Sequence, residues 1–123
     1  NKQREYFKVM KEAQDAALAT FAPNIKCSEV DHAARRVIKE YGFEDKMLHH
    51  TGHAIGMEGH EAPFLDLGVD EIIKPGMVFT CEPGIYKYKF GGFRHSDTVI
   101  ITEDGYEHIT PYPRDIEDLI IQN

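Results

Sequence analysis

His49-His50-Thr51-Gly52-His53-Ala54-Ile55-Gly56-Met57-Glu58-Gly59-His60-Glu61 is the stretch on which the reading of this chain turns. Its three glycines are too many for a stable helix, so the regular helices must precede it. Four histidines crowd into the same run. Imidazole takes or gives a proton near neutral pH and also binds borderline metals. Further along lies Phe79-Thr80-Cys81-Glu82-Pro83-Gly84-Ile85-Tyr86, an apolar run that ends in a carboxylate. Histidines among glycines, followed by a carboxylate on the next apolar strand, form the pattern of a hydrolytic site. His32 and His108 stand alone and read as solvated surface residues.

On the N-terminal side the pattern is helical. Tyr6, Val9, Met10, Ala13, Ala17 and Phe21 recur at spacings that give one face of a helix over residues 3 to 21. Pro23-Asn24 ends it. Ser28-Glu29-Val30-Asp31 resembles a capping box for a second helix that runs to about Tyr41. Gly42 is the expected stop.

On the C-terminal side the pattern is extended. Lys74-Pro75-Gly76 predicts a turn into a strand over Met77 to Cys81. Gly91-Gly92 predicts a bend, followed by a strand from Phe93 to Thr102. Glu103-Asp104-Gly105 predicts a hairpin into Tyr106 to Ile109. Helices first and antiparallel strands afterwards give an α+β chain.

The bulk numbers narrow the function. The 123 residues suit one domain with its own core. A net charge of −7 argues against a nucleic-acid binder, which needs clustered Lys and Arg. No apolar run reaches the length of a membrane span, and Asn1-Lys2-Gln3-Arg4-Glu5 is no signal peptide. Cys27 and Cys81 have no metal-pair spacing, and Cys81 sits in an apolar strand, which points to reduced thiols and the cytoplasm. The chain opens without an initiator Met, so a fragment of a longer protein is expected.

Taken together, Gly52-His53-Ala54-Ile55-Gly56, His60-Glu61, Pro75-Gly76-Met77, Glu82-Pro83-Gly84-Ile85-Tyr86, Gly91-Gly92-Phe93-Arg94, Asp97-Thr98-Val99 and Thr102-Glu103-Asp104-Gly105 resemble the pita-bread metallopeptidases. These include Xaa-Pro dipeptidase and aminopeptidase P, with creatinase as a relative. The resemblance implies that residues 1–123 form the C-terminal half of a catalytic domain, with two helices followed by a curved antiparallel sheet. It implies hydrolysis of an amide next to proline in a short peptide, by metal-activated water, the metal being Mn, Co or Zn. By position, His53 and Glu82 match metal ligands. His60 matches the catalytic His near the scissile bond, with His53 as a second acid–base candidate. His49 and Arg94 match substrate-binding residues.

The sequence departs from the family at one ligand. The second metal-binding Glu is replaced by Ser96, and no Asp pair matches the ligands of the first half. Alternation along a strand puts Arg94, Ser96 and Thr98 on one face and His95 and Asp97 on the other, so His95 takes over only if a bulge re-aims it. Two rival readings follow: a metal-independent C–N hydrolase of creatinase type, and a non-catalytic binding domain of the same shape. Half a domain is also expected to expose apolar strands and to pair with its missing N-terminal half or with a second copy of itself.

Overall fold

The computed structural model describes residues 1–122. Helix α1 covers Lys2–Thr20 and α2 covers Cys27–Glu40, followed by a 3₁₀ turn at Glu44–Lys46. The strands are β1 Gly52–Ala54, β2 Glu61–Leu65, β3 Val78–Cys81, β4 Gly84–Lys87, β5 Gly91–Arg94, β6 Asp97–Ile101 and β7 Tyr106–His108. A single turn, α3, spans Ile116–Leu119. The α+β class read from the sequence is observed.

Helix α1 buries the predicted stripe, and α2 packs apolar residues of its own against it. Tyr6, Val9, Met10, Ala13 and Ala17 of α1 join Val30, Ala34 and Ile38 of α2 in one core. At roughly 25 cal/mol per Å² of buried apolar surface, this contact stabilises the fold. The start of α2 differs from expectation. The helix begins at Cys27, and the Glu29 carboxylate accepts from the Lys26 backbone N–H at 2.7 Å. Asp31 cannot cap because its carboxylate is turned into the core, where it bonds Thr51. Gly42 follows α2 with φ of 74°, the left-handed stop that was expected.

Five strands form one antiparallel sheet in the order β2-β1-β3-β6-β7, while β4 and β5 form a separate ribbon. The expected strand from Phe93 to Thr102 is therefore broken at His95-Ser96, and its two parts serve different sheets. The Glu103-Asp104-Gly105 hairpin is present, closed by Thr102 N–H donating to the Gly105 carbonyl at 3.0 Å.

Alternation divides the main sheet. Phe79 and Cys81 of β3 and Val99 and Ile101 of β6 are fully buried or nearly so. Phe79 meets Phe21 at the end of α1, and the Cys81 thiol lies 4.0 Å from the Gln14 carbonyl. Residues of opposite parity, Val78, Thr98 and Ile100, are only half buried. They occupy the face that carries no helix.

Candidate metal and hydrolytic site

His53 lies on β1 and Glu82 just beyond β3, so neighbouring strands supply an imidazole and a carboxylate. Gly52 makes this closeness possible: a Cβ there would stand 2.0 Å from the Thr80 carbonyl oxygen. The glycine thus serves strand contact. His53 Nε2 is 3.3 Å from Glu82 Oε1. His60 joins them from the loop before β2, and one ligand atom from each of the three residues lies within 4.8 Å of the others. His53 is almost fully buried, while His60 is exposed.

The tautomer of His53 follows from its neighbours. Nδ1 lies 3.0 Å from the Ala54 carbonyl, which can only accept, so Nδ1 carries the proton. In the neutral ring Nε2 would then turn a lone pair toward a carboxylate oxygen. Two acceptors at 3.3 Å require a proton or a cation between them. That separation also matches two donors on one ion, since bonds of about 2.0–2.1 Å at a tetrahedral angle put donors roughly 3.3 Å apart. His53 and Glu82 therefore fit a divalent metal.

His60 is placed differently. Its ring stacks on that of His53, with centroids 3.9 Å apart and planes inclined by 29°. An imidazole lone pair lies in the ring plane. The stacked His60 ring is less well placed than His53 to share an ion with Glu82, although it would offer a third ligand atom within 4.8 Å.

Ser96 stands where its sequence position implies. Its hydroxyl donates to Glu82 Oε2 at 2.6 Å. His95 points away: Nε2 faces the Pro113 carbonyl at 3.2 Å and Nδ1 faces Asp97 at 3.5 Å. His49 is half buried, and its Nε2 lies 2.7 Å from the Tyr86 hydroxyl. A Cβ at residue 84 would come 2.5 Å from that hydroxyl, which explains the glycine of the Glu-Pro-Gly turn. Arg94 ends β5 opposite Gly84 and is exposed. Among the described residues it has no ion pair, and the structure does not bring it into contact with His53 or Glu82.

Behind the site lies a polar layer that the sequence reading missed. Gln14 is fully buried, and its Nε2 lies 3.0 Å from each of the Cys81 carbonyl, the His95 carbonyl and Asp97 Oδ2. Asp97 is fully buried and pairs with Arg114 Nε at 3.2 Å through Oδ2, while His108 Nε2 lies 3.2 Å from Oδ1 without a hydrogen bond between them. His108 is thus a neighbour of a buried carboxylate, contrary to the surface role expected for it; β7 lies beside β6 and turns it inward. One signal was present, since strand alternation groups Asp97 with Val99 and Ile101. Both cysteines are free and buried, and burial pushes the Cys27 thiol up to about 11.

Along most of its length the chain is similar to known proteins. The profile of metallopeptidase family M24 matches residues 1–103. The chain is 44% identical over 115 residues to the Xaa-Pro dipeptidase of Pyrococcus furiosus, covering 94% of this chain and 33% of that protein. It is 37% identical to the Xaa-Pro dipeptidase of Lactobacillus delbrueckii subsp. lactis, covering 99% of this chain and 33% of the relative. The solved Xaa-Pro dipeptidase from Bacillus anthracis superposes with a TM-score of 0.91 at 38% identity, over 94% of this chain and 32% of that one. The chain spans about a third of the length of the curated relatives it matches.

Proposed function

The chain belongs to metallopeptidase family M24, and from that premise we propose that it supplies part of the catalytic site of an Xaa-Pro peptidase. The observation that carries this reading is His53 Nε2 facing Glu82 Oε1 at 3.3 Å, with His60 beside it. What a divalent ion of the Mn, Co or Zn kind would supply, held by His53 and Glu82, is Lewis acidity toward an amide carbonyl and toward water. His60, exposed and not needed as a ligand, donates a hydrogen bond to the reacting carbonyl or carries a proton to the leaving nitrogen. His49, fixed by Tyr86, and Arg94, an exposed cation, seat the substrate. The two Asp ligands implied by the resemblance are assigned to a first half-domain.

One observation favours the creatinase-type alternative. The Ser96 hydroxyl already satisfies Glu82 Oε2 and brings no charge of its own. His60 or His53 would then act as acid and base without metal. Hydrolysis of Xaa-Pro dipeptides compared with creatine, each with and without chelator, separates the two. Proline release abolished by chelator is expected; creatine cleavage that persists in chelator would overturn the peptidase reading.

Two finer assignments belong to the same proposal. Among the described residues, no helix is long and apolar enough to cross a membrane. The two unpaired thiols support a reducing compartment such as the cytoplasm. The half-buried Val78 and Ile100 lie on the helix-free face and support association with a second copy. Sedimentation velocity tests this, and a clean monomer at high concentration would rule it out.

A further inference from the structure

Asp31 is a fully buried carboxylate on the face of α2 that also carries Val30, Ala34 and Ile38. Burying a charge is costly unless it is paired and bonded, and helix packing alone calls for an apolar residue at that position. Its contacts account for it. Asp31 Oδ1 accepts from the Thr51 backbone N–H at 3.0 Å and from the Thr51 hydroxyl at 2.8 Å. Asp31 Oδ2 accepts from Arg35 Nε at 2.5 Å.

Thr51 in turn connects the two arms of the site. It precedes His53 by two residues, and its carbonyl accepts from the Glu82 N–H at 2.7 Å. In the β1–β3 ladder only Ala54 and Phe79 face each other as partners; beside the ligands the strands are tied by the His53 N–H donating to Thr80 Oγ1 at 3.1 Å and, at Glu82 itself, by the Thr51–Glu82 bond. Arg35 also reaches Asp66 at 3.3 Å, and Asp66 lies 3.7 Å from His50 Nδ1. The His50 ring stands edge-on to His53, with centroids 6.5 Å apart.

We propose that Asp31 is a positioning residue that sets the gap between His53 and Glu82, acting through Thr51 on the strands and through Arg35 and Asp66 on His50. The inference rests on the reading of His53 and Glu82 as ligands, but its central test does not. Amide hydrogen exchange of the 123-residue chain reports directly on the Glu82 N–H. In Asp31→Asn, exchange at Glu82 is expected to rise at least tenfold more than at the β6 amides. Ile38→Val, which loosens the same helix without touching Asp31, should accelerate Glu82 and β6 alike.

Equal acceleration at Glu82 and β6 in Asp31→Asn would show that Asp31 only stabilises the fold. If Asp31→Asn fails to fold, Thr51→Val removes the hydroxyl bond alone, and selective acceleration at Glu82 is again the expected result; none would overturn the proposal. A second reading comes from Co²⁺ titration. Partners bonded directly to a ligand are worth roughly 10–100-fold in metal affinity; Asp31 acts one residue further out, so in the full-length protein Asp31→Asn should weaken Co²⁺ binding by up to about tenfold while Ile38→Val should not. Selective exchange without any Co²⁺ effect would leave the positioning role intact and count against the ligand assignment.

Discussion

The rings of His53 and His60 lie face to face, with centroids 3.9 Å apart. This stacking favours different tasks for the two imidazoles, because in-plane lone pairs of stacked rings converge on one ion less well than those of side-by-side donors. His53→Ala should therefore abolish Mn²⁺ or Co²⁺ binding, while His60→Ala should change the affinity by no more than about threefold. Hydrolysis by the assembled enzyme should fall roughly 10²–10⁴-fold in His60→Ala, the usual contribution of a general acid or base. Calorimetry and peptide turnover on the same pair of variants check both halves. Equal loss of metal in the two would mean that His60 swings round to become a ligand.

With His53 and Glu82 alone as protein ligands, the 123-residue chain should bind divalent metal only weakly, since stable sites normally have three or more. A sub-micromolar Kd for Mn²⁺ or Zn²⁺ by calorimetry contradicts this.

Ser96→Glu restores a second carboxylate 14 residues after Glu82. Without metal, two carboxylates would replace the 2.6 Å Ser96–Glu82 hydrogen bond, and the repulsion should cost about 1 kcal/mol, a drop of roughly 4 °C in Tm. Metal should reverse the sign, raising both Tm and occupancy above those of the parent chain. Thermal melts with and without Mn²⁺ decide the matter. Unchanged metal content would mean that the site has diverged by more than this residue.

Asp97→Ala leaves Arg114 and two histidine nitrogens beside an empty, buried position. Breaking a buried ion pair by removing one partner costs about 3–5 kcal/mol. Urea unfolding should register a loss of that size. A change below about 1 kcal/mol would show that Arg114 finds compensation from Asp15, 2.5 Å from its other nitrogen.

Cys27 gives a pH-dependent expectation. Burial raises its thiol from 9.0 to about 11 in the folded chain. A raised acid is favoured in its protonated form by folding, so the contribution is complete below pH 9. It declines as pH climbs through 11, because the unfolded chain has by then lost the proton. Stability measured from pH 8 to 11 should fall in the parent and fall less in Cys27→Ala. Parallel curves would remove Cys27 as a cause.

The helices were legible because their stripes are long and periodic, as with Tyr6, Val9, Met10, Ala13 and Ala17. The triad of His53, His60 and Glu82 was legible because glycine and proline mark the backbone around each residue. Gln14, Asp31 and Arg114 were not. Each is a polar residue whose partner lies far away along the chain, and nothing local distinguishes a buried carboxamide on α1 from a solvated one. Asp31 was misread for a related reason: its place three residues after Ser28 fits a cap, and only the fold reveals Thr51 within reach. The break at His95-Ser96 was hidden because residues 93 to 102 are extended throughout, and extension does not say which sheet a strand joins.

Gln14 holds the carbonyls of Cys81 and His95, the residues immediately before Glu82 and Ser96. The grip is on main chain, from the rear, by a helix that never reaches the open side. Whatever side chain occupies 82 or 96 is therefore delivered to the same place. A lineage built this way can trade a carboxylate for a hydroxyl, and so change how many ions it keeps, by a single codon change and without reshaping the fold. The same property makes residues 82 and 96 a natural two-position library for evolving new metal dependence in this scaffold.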